Sequence, residues 1–206
     1  MSIPKLPSTT PVRRSSSSLT SCNPLLSCGF LLFPDVRNIE SKFRYADHEA
    51  VLARALAAGA TDEGFLHQID QFYEVAKGRL KLRTVDGRGS ELLAYDRAEA
   101  VESRTSDYGW YSTSDPASLA DVLDRALRRA GVVEKMRHLL ILRNTRIHLD
   151  DVVGLGRFAE LETVMSTRSD DEAAAEHDQV ITTLGLGGAE RIAVGYVDLS
   201  KGTGSA

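Results

Sequence analysis

Two short stretches of the chain carry charged residues at the spacing of a β-strand. The stretch GRLKLR places Arg79, Lys81 and Arg83 at alternate positions. The stretch FAELE places Glu160 and Glu162 in the same way. Alternate side chains of an extended strand face the same way, so each set lies on one face. A row of cations suits phosphate groups, and paired carboxylates suit a hard metal ion such as Mg²⁺ or Mn²⁺, so the two stretches predict a protein that holds a polyphosphate and its metal.

Charged and polar residues recur with the same period on further predicted strands. They are Glu40, Lys42 and Arg44, then Glu91, Tyr95 and Arg97, then Lys135 and Arg137, and finally Arg146, His148 and Asp150. On any single strand, the solvated outer face of an amphipathic sheet explains such a pattern. Two like charges about 8 Å apart cost roughly 2 kcal/mol at an effective dielectric constant of about 20. Several such strands together therefore favour a bound polyanion and metal that neutralise the charges.

The composition restricts the class of protein. A chain of 206 residues with 42% hydrophobic and 26% charged residues is long enough for one good core. A net charge of −4, without a long basic segment, argues against a nucleic-acid-binding protein. The sequence has no run of 18 apolar residues that would predict a membrane span. Both cysteines, Cys22 and Cys28, lie near the N-terminus, so the remainder has no disulfide framework, which fits a reducing compartment.

The first 36 residues differ from the rest of the chain. They contain a run of serines at 15–18, five prolines and no acidic residue before Asp35. We expect residues 1–36 to be a disordered extension or an over-long predicted start. A transit-like leader and a secretory or lipoprotein leader are the alternatives. We predict a cytoplasmic protein, with organelle targeting or export left open by this segment.

Hydrophobic periodicity predicts about eight strands and three helices in the remaining chain. The strands are expected at 37–45, 65–75, 79–85, 91–97, 105–113, 132–142, 145–152 and 157–166. The first helix is expected to begin after Asp47 and to stop at Gly59. The second is expected to open at Asp115 and end at Gly131, and the third to cover 170–184. Hairpin connections predict an antiparallel sheet and hence an α+β fold.

The order of the motifs resembles the CYTH domain family, also called triphosphate tunnel metalloenzymes. The matching stretches are NIESK at 38–42, QIDQFY at 68–73, GRLKLR at 78–83, ELLAYDR at 91–97, TRIHLDDVVGLGRFAELE at 145–162 and YVDL at 196–199. They are most similar to the class IV adenylate cyclase-like branch. The resemblance implies an eight-stranded antiparallel β-barrel over 37–200, a tunnel with a charged interior that is flanked by about three helices. Residues 201–206 are then expected to be a flexible tail.

The resemblance also implies roles for individual residues. The metal ligands, for Mg²⁺ or Mn²⁺, would be Glu40, Asp150, Glu160 and Glu162. The triphosphate would be bound by Lys42, Arg44, Lys81, Arg83, Arg97, Lys135, Arg137 and Arg146. Lys42 is in addition the candidate catalytic general base. Salt bridges that line the barrel are the alternative role for each of these residues.

The strand that usually reads Glu-x-Glu-x-Lys in the family begins with Asn38 here. An amide oxygen ligates Mg²⁺ without bringing a negative charge, so one metal ion or two remain open. Three functions fit: a cyclase that converts ATP to cyclic AMP and pyrophosphate, a hydrolase of inorganic triphosphate or thiamine triphosphate, and a binding module for polyphosphate or nucleotide. In each the partner is a small-molecule triphosphate, not a nucleic acid or a membrane, and a homodimer is compatible with all three.

Overall fold

The structure is a computed structural model, and it describes residues 38–95, 108–165 and 169–202. The predictions for residues 1–36, for Arg97 and for the end of the tail lie outside the described residues. In the described part of the chain, four helices accompany nine strands. No helix of that part is long and apolar enough to cross a membrane.

The strands form one antiparallel sheet. They are β1 (Asn38–Arg44), β2 (Thr61–Tyr73), β3 (Arg79–Val85), β4 (Gly89–Tyr95), β5 (Tyr108–Thr113), β6 (Arg129–Leu142), β7 (Thr145–Val152), β8 (Gly156–Val164) and β9 (Glu190–Arg191). Their order is β5-β4-β3-β2-β6-β7-β8-β1-β9. The predicted antiparallel α+β fold is confirmed. It differs in detail from the expected barrel, because the sheet has a short ninth strand and, within the described ranges, its end strands are not paired with each other.

The helices are α1 (His48–Ala57), α2 (Pro116–Ala126), α3 (Asp170–Thr183) and α4 (Tyr196–Gly202). The predicted starts of α1 after Asp47 and of α2 at Asp115 are confirmed, because Asp47 accepts a hydrogen bond from the Ala50 amide at 3.0 Å and Asp115 accepts one from the Ser118 amide at 3.0 Å. Each cap satisfies an amide that the first helical turn leaves without an acceptor. The fourth helix was not predicted.

Two predicted boundaries were wrong because pairing across the sheet extends the strands. Helix α2 ends at Ala126 rather than at Gly131, which lies in β6 opposite Phe72. The absence of a side chain at Gly131 serves packing, since a Cβ there would lie 2.9 Å from Cγ2 of Val197. Strand β2 begins at Thr61, four residues before the predicted start at Phe65, because its first residues also pair with β6.

One face of the sheet packs against α1 and α3. Phe43 of β1, Ile147 of β7 and Leu161 of β8 share a buried apolar cluster with Val51 of α1 and Val180 of α3. These five side chains are at most 2% exposed. Burial of a side chain of this size stabilises a fold by ~1.5–3 kcal/mol. The apolar layer therefore holds β1, β7 and β8 in place from behind and leaves their other face to the charged residues.

A buried polar network ties α3 to the same three strands. Nε2 of His177 lies 2.8 Å from the hydroxyl of Ser41 in β1, and Nδ1 lies 2.8 Å from the hydroxyl of Thr163 in β8. The Thr163 hydroxyl lies 2.8 Å from that of Thr145 in β7. Each of these strand residues is the sequence neighbour of a charged residue on the opposite face. The network consequently fixes the relative positions of the strands that carry the charges.

The titration of His177 gives a testable prediction. Burial lowers the pKa of His177 from 6.5 to about 4. Because the unfolded chain then binds more protons between these two values, the free energy of unfolding falls as the pH falls through that window, by roughly 3 kcal/mol in total. We expect His177→Gln, which keeps polar groups but does not titrate, to remove this contribution. Urea unfolding of both proteins at several pH values between about 4 and 7 measures it; equal pH dependence in the two would contradict the prediction.

Candidate functional site

Charged side chains of six adjacent strands share the face of the sheet opposite α1 and α3. Residues directly opposite each other on neighbouring strands point to the same side. The register pairs Lys42 with Glu160 and Glu160 with His148. Further along the sheet it pairs Arg137 with Asp150 and Asp70 with Arg83. Together this charged face carries Glu40, Lys42 and Arg44 of β1, Asp70 of β2, Lys81 and Arg83 of β3, Lys135 and Arg137 of β6, Arg146, His148 and Asp150 of β7, and Glu160 and Glu162 of β8.

Asp150 lies at the centre of the charged face and is fully buried. Its Oδ1 accepts from Nε of Arg137 at 2.7 Å. Its Oδ2 accepts from Arg137 Nη2 at 2.7 Å, from Lys135 Nζ at 3.0 Å and from the Tyr196 hydroxyl at 2.9 Å. Burial alone would raise the pKa of Asp150, but Arg137 and Lys135 hold it well below its usual range. In this arrangement Asp150 positions two of the predicted phosphate-binding cations, and its role as a metal ligand stays a prediction.

Asp70 plays the same part for the cations of β3, and the sequence analysis missed it. Its Oδ1 lies 2.8 Å from Nε of Arg83, and its Oδ2 lies 3.2 Å from Nζ of Lys81. Burial would raise the pKa of Asp70, but Arg83 and Lys81 keep its carboxyl ionised far below the usual range. The sequence does contain a signal for Asp70. In the strand motif QIDQFY it alternates with Gln68 and Phe72, so these three side chains share one face of the strand.

Glu160 joins the cations of β1 and β6. Its carboxylate lies 3.1 Å from Nζ of Lys42 and 2.9 Å from Nη2 of Arg137. Burial would raise the pKa of Glu160, but Lys42, the nearby His148 and Arg137 hold it well below its usual range. Lys42 is therefore in contact with a carboxylate of the same face. Its predicted roles in binding phosphate and as a general base both stay predictions.

Glu160, Glu162 and His148 form a group whose ligand atoms all lie within 4.8 Å of one another. Nδ1 of His148 lies 3.8 Å from Glu160 and 3.7 Å from Glu162, and it has no hydrogen-bond partner among the described residues although it is buried. Burial, together with the nearby Arg137, lowers the pKa of His148, which keeps the ring neutral. Two carboxylates and a neutral imidazole are donors that fit a divalent metal ion. In the sequence, His148 shares a strand face with Arg146 and Asp150, and this pattern leaves open whether it is a core residue or a functional one.

The other predicted site residues lie around this group. Glu40 stands opposite Glu162 on the next strand, and Asn38 stands opposite Val164, two positions away. Arg146 pairs with Glu162 at 2.9 Å. Arg44 lies at the rim, where its side chain is 45% exposed and its Nε is 3.4 Å from Glu190. The structure thus brings the predicted metal and phosphate ligands of the described chain onto one surface.

This fold and this face agree with a known family. The sequence matches the CYTH domain over residues 37–196. The chain belongs to the CYTH domain family. No match was found among curated protein sequences.

Solved structures share the fold of this CYTH domain. The PH1012 protein of Pyrococcus horikoshii is 24% identical, with a TM-score of 0.71 over 79% of this chain and 98% of the other. A candidate adenylate cyclase from Vibrio parahaemolyticus is 17% identical, with a TM-score of 0.63 over 81% of this chain and 99% of the other. A candidate adenylyl cyclase from Hippeastrum, described as having a dominant triphosphatase activity, is 12% identical, with a TM-score of 0.62 over 82% of this chain and 96% of the other.

Helix α4 of the CYTH domain lies on the charged face. The Tyr196 ring is 4.0 Å from Nζ of Lys42 and 5.0 Å from Nζ of Lys135, while Asp198 pairs with Arg79 at 2.8 Å. Beside them Val197 packs into a second apolar cluster with Phe72, Val133 and Phe158. The motif YVDL is among the stretches that resemble the CYTH family, but the sequence predicts no role for it. Its residues complete the hydrogen bonding of Asp150 and cover one part of the cationic surface.

Burial lowers the pKa of two lysines on the charged face, Lys135 and Lys81. Burial, together with Arg137, lowers the pKa of Lys135 to about 8, against the opposing effect of Asp150. Burial, together with Arg83, also lowers the pKa of Lys81. Each therefore loses its charge more readily than a solvated lysine. Anions that bind here would favour the charged form of both.

Proposed function

We propose that this CYTH domain binds a linear triphosphate together with Mg²⁺ or Mn²⁺ and catalyses nucleophilic attack on one of its phosphorus atoms. The observation that carries the proposal is the juxtaposition on one face of a cationic surface and a carboxylate–imidazole group. Lys81, Arg83, Lys135 and Arg137 supply the positive charge. Glu160, Glu162 and His148 supply the metal ligands, with Glu40 beside them.

The residues of the face have complementary tasks. The guanidinium and ammonium groups neutralise the phosphate oxygens and stabilise the negative charge that develops during transfer. Asp70 and Asp150 hold these cations in place before the substrate arrives, so little reorganisation is needed. A bound Mg²⁺ or Mn²⁺ would act as a Lewis acid on the phosphate oxygens. The imidazole of His148, a ligand type more common with transition metals, favours Mn²⁺ over Mg²⁺ at this position.

The proposed reaction is that of a class IV adenylate cyclase. The ribose 3′-hydroxyl of ATP attacks the α-phosphorus, cyclic AMP forms and pyrophosphate leaves, while the hydroxyl proton passes to a base. Lys42 is the base predicted from the sequence. The family resemblance and the name of the Vibrio parahaemolyticus protein support this assignment.

The alternative is a triphosphatase, in which water attacks a phosphorus of inorganic triphosphate or thiamine triphosphate. The triphosphatase activity named for the Hippeastrum protein supports it. Both reactions use the same cations and metal ligands and differ in the nucleophile. A module that binds a triphosphate without turning it over is the second alternative.

Product analysis distinguishes the three. Purified protein receives ATP, inorganic triphosphate or thiamine triphosphate separately, with Mn²⁺ or Mg²⁺, and cyclic AMP, pyrophosphate and orthophosphate are measured. Cyclic AMP with equimolar pyrophosphate is the expected result. Orthophosphate without cyclic AMP would establish the hydrolase instead, and tight binding without any product would establish the binding module.

Replacement of the β3 cations gives a prediction about affinity. We expect Lys81→Ala and Arg83→Ala each to weaken the binding of inorganic triphosphate by about tenfold or more, because each removes a charge-assisted contact worth roughly 1.5–3 kcal/mol. Adenosine should bind the variants and the parent protein equally. Isothermal titration calorimetry with both ligands measures this.

The matched control is Arg125→Ala, which removes an exposed cation from α2 that pairs only with Asp121 among the contacts described for it. It should leave the affinity for triphosphate unchanged. If Lys81→Ala and Arg83→Ala weakened adenosine as much as triphosphate, the effect would be one of packing and the assignment of a phosphate site to β3 would be wrong.

A further inference from the structure

The charged face does not end at β3. The register places Leu93 of β4 opposite Lys81 and Trp110 of β5 opposite Leu93. Directly opposite residues share a face, so Trp110 lies on the same side of the sheet as the cations of β3. Arg83 occupies the same face two residues along β3, opposite Glu91. The cationic surface therefore passes into an apolar and aromatic one within two strands.

Trp110 is accessible on that face. It is 39% exposed, whereas large apolar side chains in the core are almost fully covered. The neighbouring Tyr111 is paired with Leu92 and so points to the opposite side of the sheet. An indole ring that remains partly open next to a cationic surface has the shape and chemistry of a stacking platform, because its face attracts planar heterocycles.

We propose that Trp110, with Leu93 beside it, stacks the aromatic ring of an organic triphosphate whose phosphate groups are bound by Lys81 and Arg83. The inference rests on the proposed function and names its substrate class: a triphosphate that carries a heterocycle, as opposed to inorganic triphosphate. The ring belongs to a nucleobase or to thiamine, which offer the same stacking chemistry.

The dimensions agree with this assignment. Neighbouring strands lie about 4.8 Å apart, so the backbone of Trp110 is about 10 Å from that of Lys81, two strands away. A sugar or a short linker between a ring and its phosphate chain spans a distance of this order once both side chains reach towards the ligand. Charge then fixes one end of the substrate and stacking the other, so the two ends are recognised independently.

The chain offers a direct probe, because Trp110 is its only tryptophan. In buffer with a chelator, to prevent turnover, we expect ATP or thiamine triphosphate to quench the intrinsic tryptophan fluorescence in a saturable manner. Inorganic triphosphate should bind, as measured by calorimetry, without this quenching. The heterocycle that gives the tighter dissociation constant identifies the source of the ring.

Variants complete the test. Trp110→Ala should weaken the binding of the organic triphosphate by about tenfold, the size typical of one lost base–aromatic stack, and leave that of inorganic triphosphate unchanged. Trp110→Phe should retain most of the affinity. Tyr111→Ala, on the same strand but the opposite face, is the matched control and should bind both ligands normally.

The outcomes separate this proposal from the one on which it rests. Two results would overturn the stacking site and leave the triphosphate site intact, provided that inorganic triphosphate binds the parent protein normally. One is a tryptophan fluorescence that the organic triphosphates do not quench. The other is an equal loss of affinity for both ligands in Trp110→Ala. Failure of inorganic triphosphate to bind the parent protein with Mn²⁺ present would overturn the proposed function and this site with it.

Discussion

Asp150→Asn is expected to reduce the free energy of unfolding by about 3–5 kcal/mol, the cost typical of removing one partner from a buried ion pair. The carboxylate is fully buried and accepts hydrogen bonds from Lys135, Arg137 and Tyr196. An amide in its place removes the carboxylate that Lys135 and Arg137 share, although Glu160 still lies beside Arg137. The NH₂ group of the amide also faces donors instead of accepting from them. Urea unfolding at neutral pH, followed by far-UV circular dichroism, measures the loss.

The adjacent Asp151→Asn variant is the matched control. Asp151 is 56% exposed and lies 3.3 Å from Arg157 at the surface, a pair worth at most about 1 kcal/mol. The control should therefore unfold at nearly the same urea concentration as the parent protein. A loss for Asp150→Asn no larger than that of the control would show that Asp150 does not hold the cations together.

The same carboxylate contributes to the pH dependence of stability. Its pKa in the folded state lies below that in the unfolded chain, so its contribution is fully present above the unfolded value and is lost as the pH falls towards the folded one. The window lies on the acid side of the usual range for an aspartate. It is distinct from that of His177, whose contribution changes at higher pH, between about 4 and 6.5.

The double variant Glu160→Gln/Glu162→Gln is expected to lose at least a hundredfold in metal-dependent turnover, because charge stabilisation by a bound metal is worth several kcal/mol in such reactions. It removes both carboxylates of the group formed with His148. Turnover of the best triphosphate substrate at saturating Mn²⁺ measures the loss, and calorimetric titration with Mn²⁺ measures the metal affinity, which should fall in parallel.

Glu134→Gln is a suitable control for this experiment. Glu134 also lies on a strand of the sheet, but it points to the opposite face, where it is 49% exposed and contacts His67 at 3.0 Å. Its replacement should leave turnover and Mn²⁺ affinity unchanged. Full metal-dependent activity in the double variant would exclude Glu160 and Glu162 as the metal ligands.

The double variant should also be less stable without metal. From the sequence alone, two neighbouring carboxylates are expected to repel each other, and their removal would then raise the free energy of unfolding. In the structure Glu160 lies within 3.1 Å of Lys42 and 2.9 Å of Arg137, and Glu162 lies 2.9 Å from Arg146. Burial acts to raise the pKa of Glu162, but nearby positive charge, including that of Arg146 and Arg137, lowers it to about 2. Because each carboxylate balances cations, its removal costs stability.

The sequence by itself determined the local part of this architecture. Residues two apart on a strand share a face whatever the strand packs against, so the pattern of GRLKLR and FAELE already separated the cations of β3 and the carboxylates of β8 from the apolar residues between them. The caps at Asp47 and Asp115 were predictable for the same reason, since each acts on an amide three residues away. The motif order was specific enough to indicate the family and its antiparallel α+β fold.

Only the tertiary structure decided which charges meet. The register between β6 and β7 brings Asp150 to Arg137, and that between β2 and β3 brings Asp70 to Arg83. The position of Tyr196 follows from the packing of α4 onto the charged face, and the end of α2 from the pairing of β6 with β2. Such contacts join residues that are distant in the sequence, and Arg79 and Asp198, for example, are 119 positions apart. The reason is physical: backbone geometry sets the direction of a side chain within a few residues, whereas its partner, its burial and its pKa depend on strands that are distant in the sequence.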